Sequence, residues 1–271
     1  MMGGTRMKGI GWVYIREALE KAETCFLCHL ENRFEQRYVN NYLGELVMDA
    51  GAREKIIESR GFCNYHFYKM LASSTNPASS DGLGMALILK NVTEQLFEDV
   101  TADLRIGVES PQRSSFDLRG RFRSSSAPSY LRTVSNQKNC PACDHVSEIM
   151  RIYIKEFVQE LKEDNEIKEL FNKSRGLCIP HYVMTLHIVS RLHSKKFSHT
   201  AKTIIDKQLQ VLEELQNDLS VYIERQDCRF SDKERAGTEK AVGESLAKVV
   251  GRRGTDRTLA RIIGAREDRF P

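Results

Sequence analysis

Cys25-Phe26-Leu27-Cys28 is followed after 34 residues by Cys63-Asn64-Tyr65-His66; Cys140-Pro141-Ala142-Cys143 is followed, again after 34, by Cys178-Ile179-Pro180-His181. Each Cys and His of the first set returns 115 residues later in the second. The match extends outward from these residues. Phe34, Tyr38, Tyr42 and Leu46 fall opposite Ile149, Tyr153, Phe157 and Leu161, Asp49 opposite Asp164, and Ser59-Arg60-Gly61 opposite Ser174-Arg175-Gly176. Between 25–104 and 140–219 the alignment needs no gap, so the chain carries an internal duplication.

Periodicity then gives the local structure. Leu30, Phe34, Tyr38, Tyr42 and Leu46 recur every four residues, the stripe of an amphipathic helix. Helix-forming residues from Ala52 to Glu58 predict a short helix over about 50–60, stopped by Gly61. A further helix starts near Cys63, and a long one over about 83–104 carries Leu89, Val92, Leu96 and Val100. The second copy predicts the same elements, ending in a helix from about 198 to 226. No stretch reads as a strand. The expected fold is all-α, two tandem helical repeats, each a hairpin closed by a CxxC/CxxH metal site and followed by a long helix. The expected boundaries are an N-terminal helix in 1–24, a first metal-binding repeat over 25–105, a linker over 106–139, a second repeat over 140–226 and a basic tail with short helices over 227–271.

Composition narrows the class. Of 271 residues, 41% are hydrophobic, enough for real cores, yet no apolar run approaches the eighteen or so residues of a membrane span. The start, Met1 to Ile10, lacks the apolar core of a secretory signal, and seven cysteines in such a chain argue for metal or thiol chemistry. A cytoplasmic location is expected. The net charge of +4 is no nucleic-acid signature by itself. Basic residues concentrate in the Ser/Arg-rich linker (Arg113, Arg119, Arg121, Arg123) and in the tail after residue 229.

The candidate metal ligands are Cys25, Cys28, Cys63 and His66 in the first copy and Cys140, Cys143, Cys178 and His181 in the second. Tetrahedral zinc takes four such donors. A CxxC turn lets two sulfurs converge on one ion, and a CxxH pair on a first helical turn presents both side chains on one face. The expectation is two zinc ions per chain, with an iron–sulfur cluster as the alternative. Equal spacings leave open whether each copy closes its own site or exchanges half-sites with the other. Three thiolates with Zn²⁺ leave a formal negative charge, and Arg60 and Arg175, three residues before Cys63 and Cys178, are candidates to balance it. Cys25-Phe26-Leu27-Cys28-His29 also fits the c-type haem pattern, but Asp144 replaces His29 in the second copy. Cys228 has no counterpart in the duplication and reads as a lone thiol. There is no phosphate-binding glycine loop, GxSxG or HExxH, and no assembled catalytic constellation.

The doubled CxxC followed by SRG(F/L)CxxH, with Cys228-Arg229-Phe230 after the last long helix, resembles an uncharacterised prokaryotic family of unknown function. Its tail motif is closer to Asp-Tyr-Arg-Phe, so Cys228 stands where Tyr is expected, and Phe26-Leu27 replaces the usual proline of the first CxxC. The resemblance runs to about residue 250 and implies a metal-binding helical protein. It supplies no activity. The function expected is a non-enzymatic, zinc-stabilised scaffold that binds a protein or nucleic-acid partner. A redox sensor built on the same thiolates is the alternative.

Overall fold

The computed structural model describes residues 9–75, 82–109, 139–192, 197–231, 233, 236 and 238–264. Among them every regular element is helical, and no helix is long and apolar enough to cross a membrane. The order is α1 (Ile10–Lys21), α2 (Phe26–Gly44), a 3₁₀ turn (Leu46–Met48), α3 (Ala50–Ser59), α4 (Asn64–Ser74) and α5 (Leu83–Glu109). Then come α6 (Pro141–Glu163), α7 (Asn165–Lys173), α8 (Ile179–Arg191), α9 (Phe197–Glu224), α10 (Lys240–Val250) and α11 (Thr255–Ile263). The linker arginines Arg113, Arg119, Arg121 and Arg123 lie outside the described residues.

The helices stop and start where the sequence directs. Asp49 caps α3, accepting from the Ala52 amide at 2.8 Å. Asp164, its counterpart, caps α7 by accepting from the Glu166 and Ile167 amides at 2.8 and 3.2 Å. These caps satisfy amides that the first turn leaves without helical partners. Trp12 Nε1 of α1 also donates to Asp164, at 3.1 Å. After α3 the chain turns through two left-handed residues, Arg60 (φ 57°) and Gly61 (φ 97°). Gly61 is required there, since a Cβ would stand 2.5 Å from the Phe67 ring.

The chain divides into two compact units, one formed by Met1–Phe34 with Val146–Pro271, the other by Glu35–His145. Each draws on both copies of the duplicated sequence. α2 and α6 each begin in one unit and end in the other.

The first unit is built round a ring cluster. Phe26 lies 4.7 Å from Phe157 and 6.4 Å from Phe171, and Phe157 lies 5.2 Å from Phe171, all tilted or edge-on. Ile15, Leu30, Met150, Ile154 and Met184 complete a core with no exposed side chain. Phe26, the departure from proline noted above, therefore ties the first CxxC to helices of the second copy. Such aromatic contacts add about 0.5–1.5 kcal/mol per pair beyond the area they bury. The second unit packs Val39, Tyr42, Ile56, Phe62, Met70 and Ile88, with Phe62 edge-on to both Tyr42 and Phe67.

The two caps give a test. Asp164→Ala should cost about 1–2 kcal/mol in urea unfolding of the metal-loaded protein. Asp49→Ala should cost less, because Asp164 alone also loses a bond from Trp12; equal costs would contradict that assignment.

Candidate metal centre

All eight candidate ligands occupy helix beginnings. Cys63 and Cys178 are the N-cap residues of α4 and α8, and His66 and His181 stand on the first turns that follow. Cys25 and Cys140 sit one residue before α2 and α6, and their carbonyls accept the first helical bonds, from His29 at 3.2 Å and Asp144 at 3.1 Å. Cys28 and Cys143 are one turn further on. A helix start carries partial positive charge on its amides, which favours thiolate over thiol.

Tertiary packing gathers these starts in pairs. Cys25, Cys28, Cys178 and His181 form one cluster (site A), and Cys63, His66, Cys140 and Cys143 the other (site B). Within each, the four donor atoms lie within 4.8 Å of one another. The expected hairpin closed by its own CxxC and CxxH is therefore not what the chain builds. Each CxxC meets the CxxH of the other sequence copy. Site A falls wholly in the first compact unit and site B wholly in the second.

The distances suit one small ion. In site A, Cys28 Sγ is 3.5 Å from Cys178 Sγ, and His181 Nδ1 is 3.7, 3.4 and 3.2 Å from the sulfurs of Cys25, Cys28 and Cys178. In site B, Cys63 Sγ is 3.6 Å from Cys143 Sγ, and His66 Nδ1 is 3.2, 3.5 and 3.2 Å from Cys63, Cys140 and Cys143. Bonds of 2.3 Å to sulfur and 2.0–2.1 Å to nitrogen in a tetrahedron imply edges of about 3.8 and 3.6 Å. Either cluster could hold a metal ion.

The protein groups alone divide the protons unevenly. At site B, contacts with Cys140 and Cys143 draw Cys63 down, whereas Cys143 is pushed up by Cys140 and Cys63. Burial lowers His66, but the Cys140 and Cys63 sulfurs and Glu35 outweigh it and raise its pKa to about 11. At site A burial opposes ionisation of Cys25, yet Cys178, Cys28 and His181 hold it well below the ordinary thiol value. Cys178 is pushed up by Cys25 and Cys28. Three thiolates this close cannot all ionise on the strength of one imidazolium. A bound metal cation would supply the charge that lets them.

With Nδ1 toward the sulfurs, each imidazole turns Nε2 outward to a glutamate of α2. His66 Nε2 donates to Glu35 Oε1 at 3.0 Å, and Glu35, 3% exposed, also accepts from Tyr65 OH at 3.2 Å and pairs with Lys69. At site A, Glu31 Oε2 stands 3.8 Å from His181 Nε2, beyond hydrogen-bond reach, and Nε2 makes no other hydrogen bond. Carboxylates of this kind fix the tautomer and raise ligand basicity.

Sequence reasoning did not single out Glu31 or Glu35. The signal was present: Cys28, Glu31 and Glu35 follow i, i+3, i+7 spacing along one face of α2, where acids interrupt an apolar surface. Their counterparts one offset later are apolar, Val146 and Met150, and buried. The expected role of Arg60 and Arg175 is corrected. Arg60 makes a two-pronged ion pair with Asp99, at 2.8 and 3.1 Å, and Arg175 pairs with Glu244 at 3.3 Å. Both point to carboxylates on neighbouring helices rather than to sulfur. Cys228 is exposed and belongs to neither cluster.

The pairing can be read from metal content. Cys25→Ser combined with His181→Asn should remove one ion per chain, since both strike site A. Cys25→Ser with Cys63→Ser should remove two; if it removes one, each copy closes its own site.

No curated protein and no solved structure matches the chain. One family model does, over residues 7–256, and it is described as a family of unknown function, DUF6062. The doubled CxxC and CxxH, which that range includes in full, carry the resemblance already drawn from the residues, and the chain belongs to this family.

Proposed function

We propose that sites A and B each bind one zinc ion for structure, and that the protein is a non-enzymatic helical scaffold that presents a partner-binding surface. The observation carrying this reading is donor closure. Each cluster offers three sulfurs and one imidazole at single-ion spacing, which fills a tetrahedron and leaves no coordination position for water or substrate. Catalytic zinc keeps such a position open. Iron–sulfur clusters place several irons between their thiolates and need a wider cage than sulfurs 3.5–3.6 Å apart.

The ligand cysteines are at most 9% exposed. A redox sensor needs thiolates that oxidant can reach, so burial favours the structural role over that alternative. It also fits a reducing compartment, and the cytoplasm is the location proposed. For the partner, one face of α5 is informative. Leu89, Phe97 and Val100 lie on the same side of the helix, and Phe97 is 74% exposed. Apolar side chains grouped on a surface mark contact sites. That favours a protein partner over a nucleic acid, whose binding would instead fall steeply with salt.

Elemental analysis of the purified protein should give two zinc per chain. Chelation should then abolish the helical circular dichroism, because structural zinc contributes about 10–16 kcal/mol, as much as a domain's whole stability. Iron with visible absorption would contradict the zinc assignment. Zinc release by peroxide doses that spare ordinary structural fingers would move the reading to the sensor.

A further inference from the structure

The two sites differ in what surrounds the glutamate behind the histidine. At site B, Glu35 is held by Tyr65 and Lys69 of α4, the helix that also carries His66. At site A, Glu31 is held by the end of the chain. Thr255 Oγ1 donates to Glu31 Oε2 at 2.7 Å, Thr258 Oγ1 donates to Oε1 at 2.5 Å, and Arg252 Nε stands 3.5 Å from Oε2. Glu31 is 1% exposed, Thr255 0% and Thr258 4%, so this is a buried polar network and not a surface contact.

The same segment touches both half-sites. Lys248 of α10, 3% exposed, reaches the carbonyls of Arg175 and Leu177, on the strand of chain that leads into Cys178. It also reaches the Thr24 carbonyl, next to Cys25, at 3.5 Å. Between α10 and α11 the backbone passes over a ligand. Gly251 is left-handed (φ 74°), and a Cβ there would come within 3.3 Å of Cys178 Sγ. One cation and two hydroxyls of this segment thus meet Glu31, and a second cation holds the backbone that leads into Cys25 and Cys178. A charge buried in this way is costly once its partners leave.

We infer that α10 and α11 form a latch on site A: seating of this segment and retention of the ion are one coupled equilibrium, while the ion at site B is held independently of it. The inference rests on the reading that site A holds a metal. The physical route is reciprocal linkage, in which whatever the seated segment adds to ion affinity the ion adds to seating. The ion leaves once Gly251 lifts from Cys178 and Thr255 from Glu31, and a freed ion site leaves Lys248 and Arg252 with less negative charge to meet. Site A is then the exchangeable site of the two.

Full-length Thr255→Val/Thr258→Val tests this, since it removes both donors to Glu31 at nearly constant shape. The variant should still hold two zinc at saturation. One of the two ions should pass to a competing chelator about tenfold faster than in the parent, the low end of the effect of removing outer contacts at a metal site. The other should leave at the parent rate. Trypsin should cut at Arg252 and Arg253 faster in Cys178→Ala, which empties site A, and at the parent rate in Cys63→Ala, which empties site B. Two ions leaving the valine variant at parent rates would overturn the latch, as would a segment equally protected with site A emptied. A parent protein with no metal would instead overturn the metal reading, a separate and earlier result.

Discussion

Three thiolates packed within a few ångströms, away from water, repel one another by more than burial of apolar neighbours can offset unless a cation stands among them. Sites A and B each impose that constraint. The response in this chain is electrostatic at every level. The sulfurs sit at helix starts, the imidazoles face inward through Nδ1, and the outward nitrogens face carboxylates that are themselves met by Lys69 at site B and by Arg252, Thr255 and Thr258 at site A. With no cation, the crowded sulfurs push Cys143 and Cys178 up and raise both imidazoles.

Because each cluster joins residues about 150 or about 80 apart in sequence, an ion bound at either would act as a long-range cross-link. Site A joins the start of α2 to the start of α8, and site B joins the start of α4 to the start of α6. Closing loops of that length costs chain entropy. An ion that binds only the assembled pair would help to offset it, as structural zinc does in small domains. α2 has a special place in this scheme, since its one face carries Cys28, Glu31 and Glu35 and so addresses both histidines.

Much of this was legible in the residues. The clustering Cys and His residues and the helical class follow local patterns, set by neighbours within a turn or two, and the Asp49–Asp164 match marked two positions that prove to be caps. The pairing of half-sites was not legible. Both copies present identical donors at identical spacing, so the choice falls to packing, and the decisive contacts, such as Phe26 on Phe157 and Phe171, span more than 130 residues. The placement of two tail cations was not legible for a related reason. Nothing local to Lys248 or Arg252 signals their partners, whereas the fold gives them carbonyls and a buried carboxylate to meet. Arg60, read as a partner for sulfur, is drawn off by Asp99, which follows it by 39 residues and reaches it through α5.

The measurement that bears most directly on two closed single-ion tetrahedra is zinc K-edge X-ray absorption on the fully loaded protein. The structure predicts an average first shell of three sulfurs at about 2.3 Å and one nitrogen at about 2.0 Å, with no metal–metal scattering. An oxygen in the shell would open the sites to solvent, and short metal–metal scattering would replace single ions with a cluster. Either result contradicts the account.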